Sequence, residues 1–204
     1  MVSERSGYRD LRPIGRTKMK KLSSLLCLSL VVASSQAYLA FNTFGAGESA
    51  KVQGWGFGDI KDTRIAAQFT ASKTGVLNFI KMKMQKSGDG KRHFATISLF
   101  EDNGNDIGTL MATFTVDLRT AGVKTFTNND RGVRLIGGRK YWIEAKAAAG
   151  STVYSGWNEN DQGRTGLIKF GQVEAKPNST YRVGGGALPA FSVDVIARPW
   201  GRTP

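Results

Sequence analysis

A chain of 204 residues with 40% apolar side chains suits one ordinary domain plus a short extra segment, and it carries enough apolar material for a packed core, which excludes global disorder. Its formal charge is +13; residues 38–204 hold 22 Lys/Arg against 14 Asp/Glu, a net of +8, scattered with no run of five or more basic residues, so no nucleic-acid-binding arm is expected. The only cysteine is Cys27, which excludes disulfides, thiolate nucleophiles and Cys-bearing zinc sites from everything that follows it.

At the N-terminus, Met19-Lys20-Lys21 precede the apolar run LSSLLCLSLVVA at 22–33 and the small-x-small triplet Ser35-Gln36-Ala37. This is the pattern of a secretory signal peptide cleaved after Ala37, and it predicts a secreted protein. The run is shorter than the ~20 residues that a membrane span needs, and no second run of that length follows, so no membrane span is expected in the mature chain. A buried core helix is the rival reading. Residues 1–18 are polar and arginine-rich, which leaves Met1 or Met19 as the start of translation. The expected organisation is an N-terminal extension and signal peptide at 1–37 and a single β domain at 38–204.

Along that domain the hydrophobic period is two. Ile65, Ala67 and Phe69 alternate with polar or small neighbours, as do Ile80, Met82 and Met84, and then Ala95, Ile97 and Leu99. The pattern continues with Leu110, Ala112, Phe114, Val116 and Leu118, with Tyr141, Ile143 and Ala145, and with Phe191, Val193 and Val195. Each run predicts a strand with one face in a core and one in water. Turn residues separate the runs: Ser87-Gly88-Asp89-Gly90, Asp102-Asn103-Gly104-Asn105, Asn128-Asn129-Asp130, Gly137-Gly138 and Gly184-Gly185-Gly186. With 25 glycines, 5 prolines and no convincing amphipathic helix, the fold class is all-β: an antiparallel β-sandwich, jelly-roll-like in arrangement.

The order of several segments resembles the "choice-of-anchor" domains of exosortase-sorted (PEP-CTERM-type) bacterial proteins. The matching pieces are NTFGAGES at 42–49, GWGFG at 54–58, AAQFTAS at 66–72, FATISLFEDNGNDIGTLMATFTV at 94–116, KYWIEAKA at 140–147 and SGWNEN at 155–160, with a weaker echo in PAFSV at 189–193. The resemblance implies a secreted, surface-associated β-sandwich with no assigned reaction. Such proteins often end in a sorting motif, an apolar span and a basic tail. This sequence ends ARPWGRTP, so release is expected in place of tethering.

Three constellations bear on chemistry. His93 is the only histidine, and without a second histidine or a cysteine it reads as a polar strand-edge residue before it reads as a base or ligand. Glu101, Asp102, Asn103, Asn105 and Asp106 form an oxygen-rich loop in which calcium is possible, against the alternative of ordinary hairpin chemistry. Trp55, Tyr154, Trp157 and Asn158 are the candidates for ligand binding, since an aromatic ring on a rigid sheet stacks on a sugar face while amides bind its hydroxyls; the alternative places the tryptophans, with the ambiguous Trp142, in the core. A carboxylate pair for glycoside hydrolysis is not singled out by any spacing. The sequence therefore predicts a secreted non-catalytic β-sandwich acting at the cell surface or in the extracellular matrix, with extracellular polysaccharide or envelope components as partners. A carbohydrate-binding module is the alternative, and a secreted hydrolase the remaining one.

Overall fold

The computed structural model describes residues 36–58, 63–88, 93–129, 132–172 and 182–197. The expectations for residues 1–35, including Cys27 and most of the signal peptide, lie outside the described residues.

The described chain forms thirteen strands: β1 (Gln36–Asn42), β2 (Gly54–Gly58), β3 (Thr63–Thr70), β4 (Gly75–Met84), β5 (Phe94–Asp102), β6 (Ile107–Asp117), β7 (Gly122–Thr127), β8 (Arg134–Leu135), β9 (Lys140–Ala147), β10 (Tyr154–Asn158), β11 (Thr165–Gln172), β12 (Arg182–Ala187) and β13 (Phe191–Ala197). One 3₁₀ turn, Ala46–Glu48, follows β1. All the pairings are antiparallel. Eight strands pair in two groups of four, β1-β13-β4-β7 and β3-β9-β5-β6. That is the pairing of a jelly roll, in which each sheet draws strands from both ends of the chain. The other five strands elaborate it. β8 continues the line of β7 along β4, and β11 and β12 extend the second sheet beyond β3. β10 and β2 pair with each other and bridge the sheets, through Trp157 opposite Met84 and Gly58 opposite Thr63, so hydrogen bonding runs unbroken through all thirteen strands.

The alternating apolar residues drive this arrangement. Ile65, Ala67, Phe69, Ile80, Met82 and Ile97 are all buried in one continuous core. Rings from the two sheets meet there: Phe41 of β1 lies 5.2 Å from Phe69 of β3, and Phe69 lies 5.8 Å edge-on to Phe191 of β13. At the other side Phe114 of β6 meets Phe126 of β7 at 5.8 Å. Each such side chain contributes about 1.5–3 kcal/mol by leaving water. Past the end of β1, Thr43 is a polar clamp within the core. Its hydroxyl donates to the Pro189 carbonyl at 2.7 Å and accepts the Phe191 amide at 2.8 Å, fixing the chain that leaves β1 to the chain that enters β13.

Two expectations are corrected. Gly184-Gly185-Gly186 is not a turn: it is the middle of β12, with Gly184 opposite Ile168 and Gly186 opposite Gly166. Glycine lacks side-chain contacts, but it keeps the backbone donor and acceptor that a neighbouring strand can pair. In β6, Ala112 faces Leu99 while Leu110 faces Phe100, so Met111 is an extra residue in a β-bulge. A bulge reverses the in–out alternation beyond it. Met111 accordingly packs against the core, and Leu110 is 54% exposed.

Candidate functional site

The first candidate surface is the two-stranded ribbon β2–β10. Register pairs Tyr154 with Gly58, Ser155 with Phe57, Gly156 with Gly56, Trp157 with Trp55 and Asn158 with Gly54. Because cross-strand partners share a face, Trp55, Phe57, Ser155 and Trp157 lie on one side, and the four glycines, Tyr154 and Asn158 on the other. The first side turns inward. Trp157 is fully buried, lies 5.3 Å from Phe191 and donates its indole N–H to the Ala190 carbonyl at 3.1 Å. It has no face left for a sugar, so the structure makes it a core residue. Trp55 is half-buried; its ring packs 4.6 Å from Phe170 and its Nε1 donates to the Ala187 carbonyl at 3.0 Å, which fastens β2 to the end of β12. Asn158 is buried and donates Nδ2 to the carbonyls of Lys51 and Val52 at 2.7 and 3.0 Å, which makes it a loop anchor. Of the four aromatic-site candidates, Tyr154 alone stands in solvent, at 53% exposure. The four residues do not converge.

The second candidate is the β5–β6 loop. Gly104 (φ 64°) and Asn105 (φ 70°) both take left-handed backbone, which Gly and Asn tolerate and which reverses the chain tightly. The Asn103 and Asp106 backbones close the turn with reciprocal hydrogen bonds of 2.8 and 3.2 Å. The side chains then engage three neighbouring strands. Asp102 Oδ1 accepts the indole N–H of Trp142 at 2.7 Å and the amide of Gln68 at 2.6 Å, while Oδ2 accepts the Asn105 amide at 3.2 Å. Asn105 Oδ1 accepts from Gln68 at 3.1 Å and from the Lys140 ammonium at 3.0 Å. Asp106 Oδ1 accepts the Lys169 ammonium at 2.6 Å, and that ammonium also lies 5.2 Å from the Trp142 ring centre. Beside this network is a shallow open hollow lined by Glu101, Asp102, Asn103, Gly108 and Thr109.

The electrostatics follow from those contacts. At Asp102, burial pushes the carboxyl's pKa up, but hydrogen bonds from Asn105, Gln68 and Trp142, with the charge of Lys140, outweigh it and hold the group below its ordinary value. At Asp106 the Lys169 hydrogen bond is the largest cause, and it too lowers the pKa. Calcium requires six to eight oxygens around one point. Here the side-chain oxygens of Asp102, Asn105 and Asp106 accept from protein donors, two of them ammonium groups. No group of three His, Cys, Asp or Glu converges among the described residues. Of the four residues considered for calcium, Asp102, Asn105 and Asp106 are bonded through their side chains to other strands, and Asn103 closes the turn through its backbone.

Sequence reading singled out the loop acids but not their partners. Gln68, Lys140 and Lys169 come from β3, β9 and β11, far away in the chain, and no local spacing announces them. Trp142 was visible as a tryptophan on the face opposite Tyr141 and Ile143, yet it is fully buried there. On the same face Glu144 is 2% exposed, with Arg64 at 3.6 Å and Lys146 at 3.8 Å. His93 precedes β5, where its carbonyl accepts the Leu118 amide at 2.8 Å. Its Nδ1 is buried without a hydrogen-bond partner, and it belongs to no group of three His, Cys, Asp or Glu that could hold a metal among the described residues. No protein-family model matches this chain, and no curated protein matches it either.

Proposed function

We propose that this chain is an exported, non-catalytic β-sandwich that acts at the cell surface or in the extracellular matrix by presenting a rigid binding surface to polysaccharide or envelope components. The observation that carries the reading is the use made of the acidic side chains. Asp102 holds Trp142 and Gln68, Asp106 holds Lys169, Asp194 holds Asn78 at 2.8 Å, and Glu159 pairs with Lys51 at 3.5 Å. These carboxylates are struts between loops and strands, each already bonded to a protein donor. The basic pair, apolar run and Ser35-Gln36-Ala37 triplet support export, as does the resemblance of the motif order to choice-of-anchor domains.

Cleavage after Ala37 would fall two residues into β1 and leave Tyr38–Asn42 to pair with β13. The test is expression in a bacterial host, followed by fractionation and intact-mass analysis. A culture-supernatant or surface product that begins at Tyr38 is the expected result. A chain that stays in the cytoplasm with residues 20–37 attached overturns the reading.

A further inference from the structure

We propose that Tyr154, lying on a bed of glycines, is the stacking platform for the pyranose rings of a neutral polysaccharide. The proposal rests on the binding-surface reading above and names its ligand class. Tyr154 leans along β2 instead of standing off it. A Cβ on Gly56 would lie 3.3 Å from the Tyr154 hydroxyl oxygen and 3.8 Å from Cζ, and one on Gly58 would lie 3.2 Å from Cδ2. The ring therefore spans both glycines, with one side covering their backbone. At 53% exposure, its other side faces water.

The glycines make this posture possible. Any side chain at 56 would push the phenol outward. At Gly58 (φ 156°) a Cβ would collide with the Val153 carbonyl, so that position is closed to other residues as well.

The rest of the strip suits a flat, uncharged ligand. Gly54, Gly56 and Gly156 continue its floor, and the Gln85 side chain crosses Gly156, where a Cβ would meet its Oε1 at 2.6 Å. Gln85 spends its amide nitrogen on the Val52 carbonyl at 2.8 Å, which fixes the group and leaves its oxygen turned to the strip as an acceptor. The surface thus offers an aromatic face, a phenolic hydroxyl and a positioned amide oxygen, all neutral, in a chain of formal charge +13. An apolar ring face pairs with the C–H face of a sugar, and polar groups at its rim take the hydroxyls. An anionic polymer would gain from the scattered lysines, but none of the strip groups named above carries a counter-charge.

The test is native affinity electrophoresis of the mature chain in gels containing soluble β-glucan, xylan or galactomannan, with alginate as the anionic control. Retardation by at least one neutral polymer is expected. Tyr154→Ala should lose it by about tenfold or more, while Tyr154→Phe keeps most of it. Gly56→Val, which lifts the ring, should behave like Tyr154→Ala. Unchanged melting of Tyr154→Ala shows that the loss is not unfolding. Wild-type protein that passes all three neutral gels unretarded overturns the proposal. So does retardation that Tyr154→Ala leaves intact, and so does retardation by alginate alone that salt abolishes. An exported chain with any of these outcomes loses the platform but keeps the broader reading, whereas a chain that is not exported loses the reading itself.

Discussion

The indole N–H of Trp142 on β9 meets Asp102 Oδ1 at the end of the adjacent strand β5, at 2.7 Å, although the Trp142 ring is fully buried. A buried donor without its acceptor costs about 1–3 kcal/mol. Asp102→Ala should therefore destabilise the protein by an amount in that range, read by urea unfolding, and Asp102→Asn by less, because its amide oxygen still accepts. The combination Asp102→Ala with Trp142→Phe should cost less than the sum of the two single changes, since each removes the same bond.

Two aspartates should respond to acid with opposite signs. Asp102 is held below its ordinary value of 3.8, so its contribution to stability is complete above that value and is lost as pH falls through the lower folded value. Asp194 is raised above 3.8, chiefly by burial against the partial relief of Asn78 and Lys81. Its charge opposes folding at neutral pH, and protonation relieves it. Asp194→Asn should match or exceed wild-type stability at pH 7, with the gain fading as pH falls through the raised folded value and gone below 3.8. Asp102→Asn should show a deficit at pH 7 that shrinks only below 3.8, as pH falls through the lower folded value. Urea titrations at several pH values check both.

The two aromatic residues of β10 should separate cleanly. Trp157→Ala empties a fully buried site and should cost about 3–5 kcal/mol. Tyr154→Ala removes a half-exposed ring and should stay within about 0.5 kcal/mol of wild type. Equal losses would mean that the Tyr154 ring is part of the core.

Calcium at millimolar concentration should leave the melting temperature unchanged, because Lys169 and Lys140 already occupy the acidic side of the β5–β6 loop. Lys169→Met should instead loosen that loop, seen as faster hydrogen exchange at the amides of Asn105 and Ile107. A calcium-dependent rise in melting temperature would show that the lysines yield to the metal.

The strands with strict alternation are legible in the sequence. Ile65-Ala67-Phe69, Ile80-Met82-Met84 and Tyr141-Ile143-Ala145 fall in β3, β4 and β9 with their apolar faces buried. The sandwich with jelly-roll pairing follows from those runs and their spacing. GWGFG and RVGGGA were harder, because a strand of glycines has no hydrophobic period, and its existence depends on a partner distant in the chain. The bulge at Met111 was hidden for a related reason: the residues alternate perfectly, and only the pairing with β5 reveals the slip. At the loop, Asp102 and Asp106 were legible as acids, but whether they meet a metal or a lysine is decided by β9 and β11. Tyr154 and Trp157 were indistinguishable as aromatic residues in a Ser/Gly/Asn stretch. An odd separation of three along one strand puts them on opposite faces, which assigns one to water and one to the core.

Strands β1 and β13 lie side by side with Tyr38 opposite Val195, a separation of roughly 5 Å between backbones. Tension applied between those two positions would peel the hydrogen bonds apart one at a time, as a zipper opens, in place of loading them together in shear. The domain should thus be mechanically soft when stretched between its own ends and much stiffer when force enters through a strand in the middle of a sheet, such as β9. The same closeness means that a few added residues suffice to join the end of β13 to Tyr38, and the sequence can then be reopened at the exposed β5–β6 loop without breaking a central strand pair.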